Sequence, residues 1–398
     1  MQESSKTLPQ TDPHPAQGKT GSAEFSGTSK DKIQALLALA DIQVGGQRPW
    51  DIQVHNDATY SKTITDGSIG FGESYMAGWW DCDALDDMFT RLLRARLPSK
   101  LRGLAKVKLL ISAAQHTLFN HQSRRKAFEV GRAHYDIGNE LYRRMLDSSM
   151  SYSCGYWAQA DTLEQAQYDK LDLICRKLQL APGMTLLDIG CGWGGLAEHA
   201  ARHYGAQVTG ITISEQQQAL AQKRVAGLPV TIKLIDYRDL NGQFDRIGSV
   251  GMFEHVGPKN YATYFRTVAA LLAHDGLFLL HTIGEEKTSH SPDGFTHKYI
   301  FPNGKVPSRE QINHASLNLL RLEDWHNFGP DYDKTLMAWA ANFERHWSEL
   351  ASHYSERFYR MWRYYLASCA GYFRARNGQL WQLTFSHPHR HKPYRSLR

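Results

Sequence analysis

The chain of 398 residues has little cysteine and no long apolar run. Its five cysteines, Cys82, Cys154, Cys175, Cys191 and Cys369, form an odd set without a C-x-x-C pair. That argues against a disulfide framework and a zinc cage and leaves reduced thiols. The longest apolar stretches, such as Val268 to Leu272 and Leu277 to Leu280, fall far short of the roughly 20 residues a membrane-spanning helix needs. The opening MQESSKTLPQ has no basic patch followed by an apolar core, so no secretory signal is expected and the chain is expected in the cytosol. Excess charge is also scarce: 46 basic against 40 acidic side chains, a net +6, is too mild to imply nucleic acid. With 42% hydrophobic and 22% charged residues, the chain can bury a substantial core and is expected to hold two domains.

Residues 1–30 are rich in Ser, Gly, Thr, Gln and Pro with almost no large apolar groups, and read as a disordered tail. Helical spacing follows from Asp31 to about Gln43, and Ile52 to Asn56 alternates like a short strand, so residues 31–116 read as a small mixed domain. Tyr75, Met76, Trp79 and Trp80 are expected in its core, followed by a helical stretch through Leu85, Met88, Leu92 and Leu93. From Arg91 to Lys108, Arg91, Arg94, Arg96, Lys100, Arg102, Lys106 and Lys108 alternate with leucines and no acid intervenes. Such a basic amphipathic stretch is either a solvated face or one that an anionic lipid surface attracts. A linker is expected near 117–133 and a second domain over 134–398.

Met184 to Gly195 reads MTLLDIGCGWGG, a buried strand running into Gly190, Gly192, Gly194 and Gly195, followed by the helical run LAEHAARHYG. A strand that turns through glycine into a helix lets backbone approach a nucleotide closely. Further strands are expected over 207–214, 230–237, 244–253 and 276–284, with helical segments between them, which predicts an α/β fold with a mostly parallel sheet. Many dinucleotide folds place a ribose-binding acid about 20 residues beyond the glycines. Thr212 stands there instead, with Glu215 and Gln217 nearby, and polar contacts from Thr212 and Gln217 are the expected replacement.

D-I-G-C-G-W-G-G resembles the first motif of S-adenosylmethionine-dependent methyltransferases more than a pyrophosphate fingerprint. Together with HYDIGNELYRRMLDSSMSYSCGYW (His134 to Trp157), GMFEHVG (Gly251 to Gly257) and Tyr332, it makes the chain from residue 31 onward resemble cyclopropane fatty acid synthases. The resemblance implies a Rossmann-like catalytic domain with a smaller N-terminal mixed α/β domain for lipid binding and dimerisation. It also implies methylene transfer from S-adenosylmethionine to the cis double bond of an unsaturated phospholipid acyl chain. Implied cofactor contacts are Tyr152, Ser153, Asp188, Gly190, Cys191, Gly192, Trp193, Gly194, Thr212, Gln217, Tyr237 and Arg238. A homodimer, peripheral on the inner face of the membrane, is implied as well.

An isolated alkene is a weak nucleophile, so the sulfonium must be aligned with it and water excluded. Ring closure then requires a proton to leave the transferred carbon. The resemblance implies bound bicarbonate as the base, held by Cys154, Glu254, His281, Ile283 (through its backbone) and Tyr332. From the residues alone, Glu254 beside His255 after the apolar SVGMF is an unusual burial of charge, whereas Cys154 and His281 also read as ordinary core residues. Cys369 follows Phe358, Trp362 and Tyr365 at helical spacing and reads as core; the resemblance makes it a candidate nucleophile, although alkene chemistry needs no thiolate. Trp339, Phe343 and Trp347 read as core, with some aromatic faces expected along an acyl channel. The closing HPHRHKPYRSLR, basic and without ordered metal-ligand spacing, reads as a solvated tail that a lipid surface could attract. The rivals are a methyltransferase of small amines or head groups, which would not need Cys154, Glu254, His281 and Tyr332 together, and a non-catalytic peripheral membrane protein.

Overall fold

The computed structural model describes residues 27–96, 138–288 and 293–398. Its first element, α1 (Ser29–Ala38), is started by a reciprocal capping box between Thr28 and Asp31. The helix thus opens inside the segment expected to be a tail, and it ends before Gln43, where Asp41 takes a left-handed turn (φ 57°). The expected strand is reduced to β1 (Gln53–Val54), which pairs antiparallel with β2 (Trp80–Asp81). Between and after them lie α2 (Ala58–Asp66), α3 (Ser68–Met76) and α4 (Leu85–Arg94). Tyr75, Met76 and Trp80 are buried as expected, with Trp79 half-buried.

The remaining elements run α5 (Asn139–Met145), α6 (Leu163–Lys177), β3 (Thr185–Ile189), α7 (Gly195–Tyr204), β4 (Gln207–Thr212), α8 (Glu215–Arg224), β5 (Val230–Leu234), β6 (Phe244–Val250), α9 (Tyr261–Leu271), β7 (Leu272–Gly284), α10 (Gly294–Tyr299), α11 (Arg309–Ser316), β8 (Arg321–Asn327), α12 (Pro330–Leu350), α13 (Glu356–Arg374) and β9 (Gln379–Ser386). Seven strands form one sheet in the order β5-β4-β3-β6-β7-β9-β8. The first five are parallel, and β9 lies antiparallel between β7 and β8. Strand order reverses at β3, which has β4 on one side and β6 on the other, and such a switch opens a crevice at the carboxyl ends of the strands. Helices on both faces explain why β3 and the centre of β7 are almost wholly buried and read as apolar runs. The antiparallel pair at the edge was not legible as strand, because β8 is mostly polar (RLEDWHN).

The N-terminal helices do not stand apart. Trp80, Met88 and Tyr75 share one buried cluster with Tyr142, Trp339, Trp362 and Tyr364 from α5, α12 and α13. Arg374 at the end of α13 reaches Asp86 and Asp87 of α4 and Asp333 of α12 at 2.7, 2.9 and 2.8 Å. Gly371 lets α13 lie close against α4: a Cβ there would stand 2.6 Å from Phe89 Cβ.

Two surface expectations change. Arg91 pairs with Asp41 at 2.5 Å and lies 3.8 Å over the Trp50 ring, so its charge is already partnered; Arg94 is exposed and donates to the Arg374 carbonyl at 3.1 Å. Arg96 is exposed; Lys100, Arg102, Lys106 and Lys108, the 117–133 linker and residues 1–26 lie outside the described residues. The C-terminal segment is largely exposed, as expected, but is anchored at two points. Arg390 is buried and donates to Gln179, and Arg398 makes a two-pronged pair with Asp324 at 2.7 and 2.9 Å, because a buried carboxylate needs counter-charge. No helix among the described residues is long and apolar enough to cross a membrane.

Gly371→Val tests the α4–α13 contact. Overpacking of this kind costs about 1–3 kcal/mol, so the urea midpoint of unfolding is expected to fall; an unchanged midpoint contradicts close packing there.

Candidate active site

At the end of β3 the backbone turns through Gly190, whose φ is 81°. A Cβ at that position would lie 2.8 Å from the Met252 side chain, so both conformation and space select glycine. Gly192 also has positive φ, 54°, but open space around it, so its requirement is conformational. The amides of Gly190 and Cys191 both donate to the Ile211 carbonyl, at 3.0 and 2.9 Å, which pins the loop to β4.

The loop borders a cavity of about 240 Å³ at the carboxyl ends of the parallel strands. Tyr152, Ser153, Asp188, Gly190, Cys191, Gly192, Trp193, Thr212, Gln217, Tyr237 and Arg238 all line it. Gly194 does not; it caps α7 and faces Ala221 of α8. Thr212 donates to the Gln217 side chain at 2.8 Å, coupling the end of β4 to the start of α8. Arg238 grips Asp236 through two hydrogen bonds of 2.7 and 2.6 Å after β5. Asp147 accepts from the amides of Ser149 and Ser151, both at 2.9 Å, and shapes the segment leading to Ser153.

Asp188 is buried and its Oδ2 has no partner in the protein. Burial pushes its carboxyl to about 7, against the attraction of the Lys170 ammonium. Sequence reading missed Lys170, which lines the cavity and donates to Ser153 Oγ at 3.0 Å. Its signal was legible: Ala166, Lys170 and Ile174 repeat every four residues and all are buried, a lysine on an apolar helix face. Burial lowers its ammonium to about 8. Asp236, His255 and Tyr365 also belong to the wall without having been singled out.

A second group adjoins the cavity at the ends of β6 and β7. Cys154 directly follows Ser153 and is fully buried, and Thr335 of α12 holds its loop by accepting from the Gly155 amide at 3.0 Å and the Trp157 ring nitrogen at 2.9 Å. Cys154 packs in one cluster with Phe328, Leu380, Ile283 and Tyr332. Glu254, just past β6, accepts from the Ile283 amide at 2.7 Å through Oε1, while its Oε2 is buried without a partner. Burial outweighs that bond and the smaller pull of its own backbone and the nearby Thr282 hydroxyl, and raises the carboxyl to about 7. His281 is buried against Phe328, Nδ1 lies 3.3 Å from Gln382 Nε2, and Nε2 has no partner in the protein. Burial holds this imidazole well below its ordinary range. Tyr332 lines the cavity and stacks on Phe373 with ring centres 4.4 Å apart.

Cys369 is half-buried on α13, outside the cluster around Cys154. Its thiol is pushed up to about 12 by burial, so the site does nothing to generate a thiolate near neutral pH. Among the described residues no group of three His, Cys, Asp or Glu is placed to hold a metal ion.

The two glycines predict different outcomes. Gly190→Val is expected to abolish S-adenosylmethionine binding in calorimetry, whereas Gly192→Asn, which tolerates positive φ, is expected to retain much of it; full affinity in a folded Gly190→Val protein contradicts this placement. Glu254 gives a pH signature. With its pKa raised from 4.5 to about 7, the folded wild type holds a proton that the unfolded chain releases, so it loses stability as pH rises through that window. Relative to wild type, Glu254→Gln should therefore gain stability between about pH 5 and about 7 and level off above. Parallel melting curves for the two proteins across that range contradict burial of an uncompensated Glu254.

A family model described as mycolic acid cyclopropane synthetase matches residues 122–383. The chain is 57% identical over 351 residues to the cyclopropane-fatty-acyl-phospholipid synthase of Escherichia coli K12, covering 88% of this chain and 91% of that one. The solved cyclopropane synthase MmaA2 from Mycobacterium tuberculosis superposes with a TM-score of 0.61 at 35% identity, over 65% of this chain and 97% of its own. Mycolic acid cyclopropane synthase CmaA1, solved with SAH and CTAB, gives 0.62 at 34% identity over 65% and 97%. The fold, the glycine-bordered cavity and these matches together place the chain in the mycolic acid cyclopropane synthetase family, as an S-adenosylmethionine-dependent methyltransferase.

Proposed function

We propose that the protein converts cis double bonds in the acyl chains of membrane phospholipids to cyclopropane rings, with bicarbonate as the base. The observation that carries this reading is the pair of buried, unpartnered atoms Glu254 Oε2 and His281 Nε2 beside a cavity of cofactor type. Simple methyl transfer to an amine leaves no such demand. S-adenosylmethionine, when bound, supplies an electrophilic methyl group. Asp188 offers its unpartnered Oδ2 in the cavity, Thr212 and Gln217 offer polar contacts at the end of β4, and the Gly190 turn allows close approach.

Tyr332, Tyr365 and Phe301 line the cavity, where their ring faces would stabilise a developing cation on the substrate. Bicarbonate would supply a base that methylation does not consume. His281 Nε2 and the Tyr332 hydroxyl would be its donors. Glu254, with its carboxyl raised to about 7, can accept or donate a hydrogen bond there. Burial of the whole group keeps water from intercepting the cation.

Substrate lies in a bilayer, so we place the enzyme in the cytoplasm, peripherally on the inner face of the membrane. Residues 31–116 form its lipid-binding and dimerisation part, and 134–398 its catalytic domain in a homodimer. Electrostatic docking falls to Arg94 and the basic residues that follow it. Each cation near an anionic surface contributes on the order of 1 kcal/mol before screening.

Incubation with S-adenosylmethionine and vesicles of unsaturated phospholipid should add one CH₂, about 14 mass units, to the acyl chains with loss of the double bond; methylated head groups would favour the amine-type reading. Glu254→Gln and His281→Ala should keep cofactor affinity while turnover falls roughly a hundredfold or more. Bicarbonate-depleted wild type should recover on adding the anion, and indifference to it would remove bicarbonate from the reaction. Neutralising Arg94, Lys100 and Lys106 should weaken sedimentation with anionic vesicles by at most ~3 kcal/mol at low salt; unchanged binding would exclude this stretch as the docking face.

A further inference from the structure

We propose that Gln382 is a positioning residue that holds His281 in the tautomer with its hydrogen on Nε2, so that the ring presents a donor to the anion pocket. The proposal rests on the bicarbonate reading and extends it to the strand behind the site. Backbone register carries its first part. Gln382 on β9 is the direct cross-strand partner of both His281 on β7 and His326 on β8. Residues directly opposite one another in adjacent strands project from the same face of a sheet. The three side chains therefore form one polar row across three strands, running from the active site toward the sheet edge.

Hydrogen-bond chemistry carries the second part. Gln382 is fully buried, and its Nε2 lies 3.3 Å from His281 Nδ1. An amide N–H only donates, so Nδ1 accepts and the hydrogen of the neutral ring sits on Nε2. That nitrogen, on the far side of the ring, is buried and unpartnered in the protein, where an anion's oxygen would complete it. The reverse amide orientation would put Oε1 on Nδ1–H and leave a lone pair on Nε2, which repels an anion in a dry site. The other end of the row meets a buried charged group. Lys177, fully buried, has Nζ 3.0 Å from His326 Nδ1 and 3.7 Å from Asp324, which Arg398 also holds. In the orientation with NH₂ on His281 Nδ1, the carbonyl Oε1 of Gln382 lies on the other side of the amide, buried and without a partner in the protein.

The decisive measurement is ¹⁵N NMR of the enzyme labelled in histidine, with the His281 signals identified by their loss in His281→Ala. Wild type should show Nε2 protonated and Nδ1 bare. Gln382→Met, unbranched and of similar length, should give a mixture of tautomers. Its bicarbonate requirement for half-maximal turnover should rise roughly tenfold or more, as for other lost orienting partners of a ligand-binding histidine, with S-adenosylmethionine affinity unchanged. A hydrogen on Nδ1 in wild type, or an unaltered tautomer in Gln382→Met, overturns the proposal. The wild-type spectrum decides even where the variant does not fold. Wild-type turnover indifferent to bicarbonate would defeat the bicarbonate reading alone, because the tautomer is read without the anion.

Discussion

Exclusion of water from the carboxyl ends of β6 and β7 is the constraint on which the chemistry depends. The 2.7 Å bond from the Ile283 amide to Glu254 ties the segment after β6 to the end of β7, and it satisfies only half of the carboxylate. A buried polar atom left without a partner costs about 1–3 kcal/mol, and Asp188, Glu254 and His281 each carry one. Such a cluster persists only if packing elsewhere offsets it. The same dryness strengthens every charge interaction in the site and raises both Asp188 and Glu254 to about 7.

The offset comes from a layer of aromatic side chains that the two late helices lay over the active site and the N-terminal helices. Trp339, Trp362 and Trp80 are each at most 1% exposed and belong to one cluster. α12 contributes Tyr332 to the cavity wall and Thr335 to the Cys154 loop, and α13 contributes Tyr365, whose hydroxyl meets that of Tyr152 at 2.8 Å. Through Gly371 and Arg374 the same helix α13 holds the N-terminal part. The part of the chain proposed to meet the membrane is thus packed on the helix that closes the active site.

The parallel half of the sheet was legible because strands buried on both faces must be apolar runs, and the glycine turn announced where a cofactor approaches. What local pattern could not supply was long-range pairing. β9 brings Gln382 beside His281, 101 residues earlier in the chain, and no periodicity encodes that meeting. Lys170 was legible as a charge on an apolar helix face, yet its partner Ser153 was not. Of the basic side chains read as surface, Arg390 is buried, while Arg91 and Arg398 stay at the surface and pair there with Asp41 and Asp324, acceptors that no local pattern announces. Cys154 and Cys369 look alike as lone cysteines, and only the fold separates the one buried with Phe328 and Leu380 from the one on α13.

Removal of a proton from the transferred carbon by a base held in this pocket is most directly tested with a cofactor whose methyl group is fully deuterated. The lipid products of wild type are then weighed. Ring closure in the pocket predicts two deuterons in each modified acyl chain and no remaining double bond. Products that keep all three deuterons as an open methyl branch would contradict it.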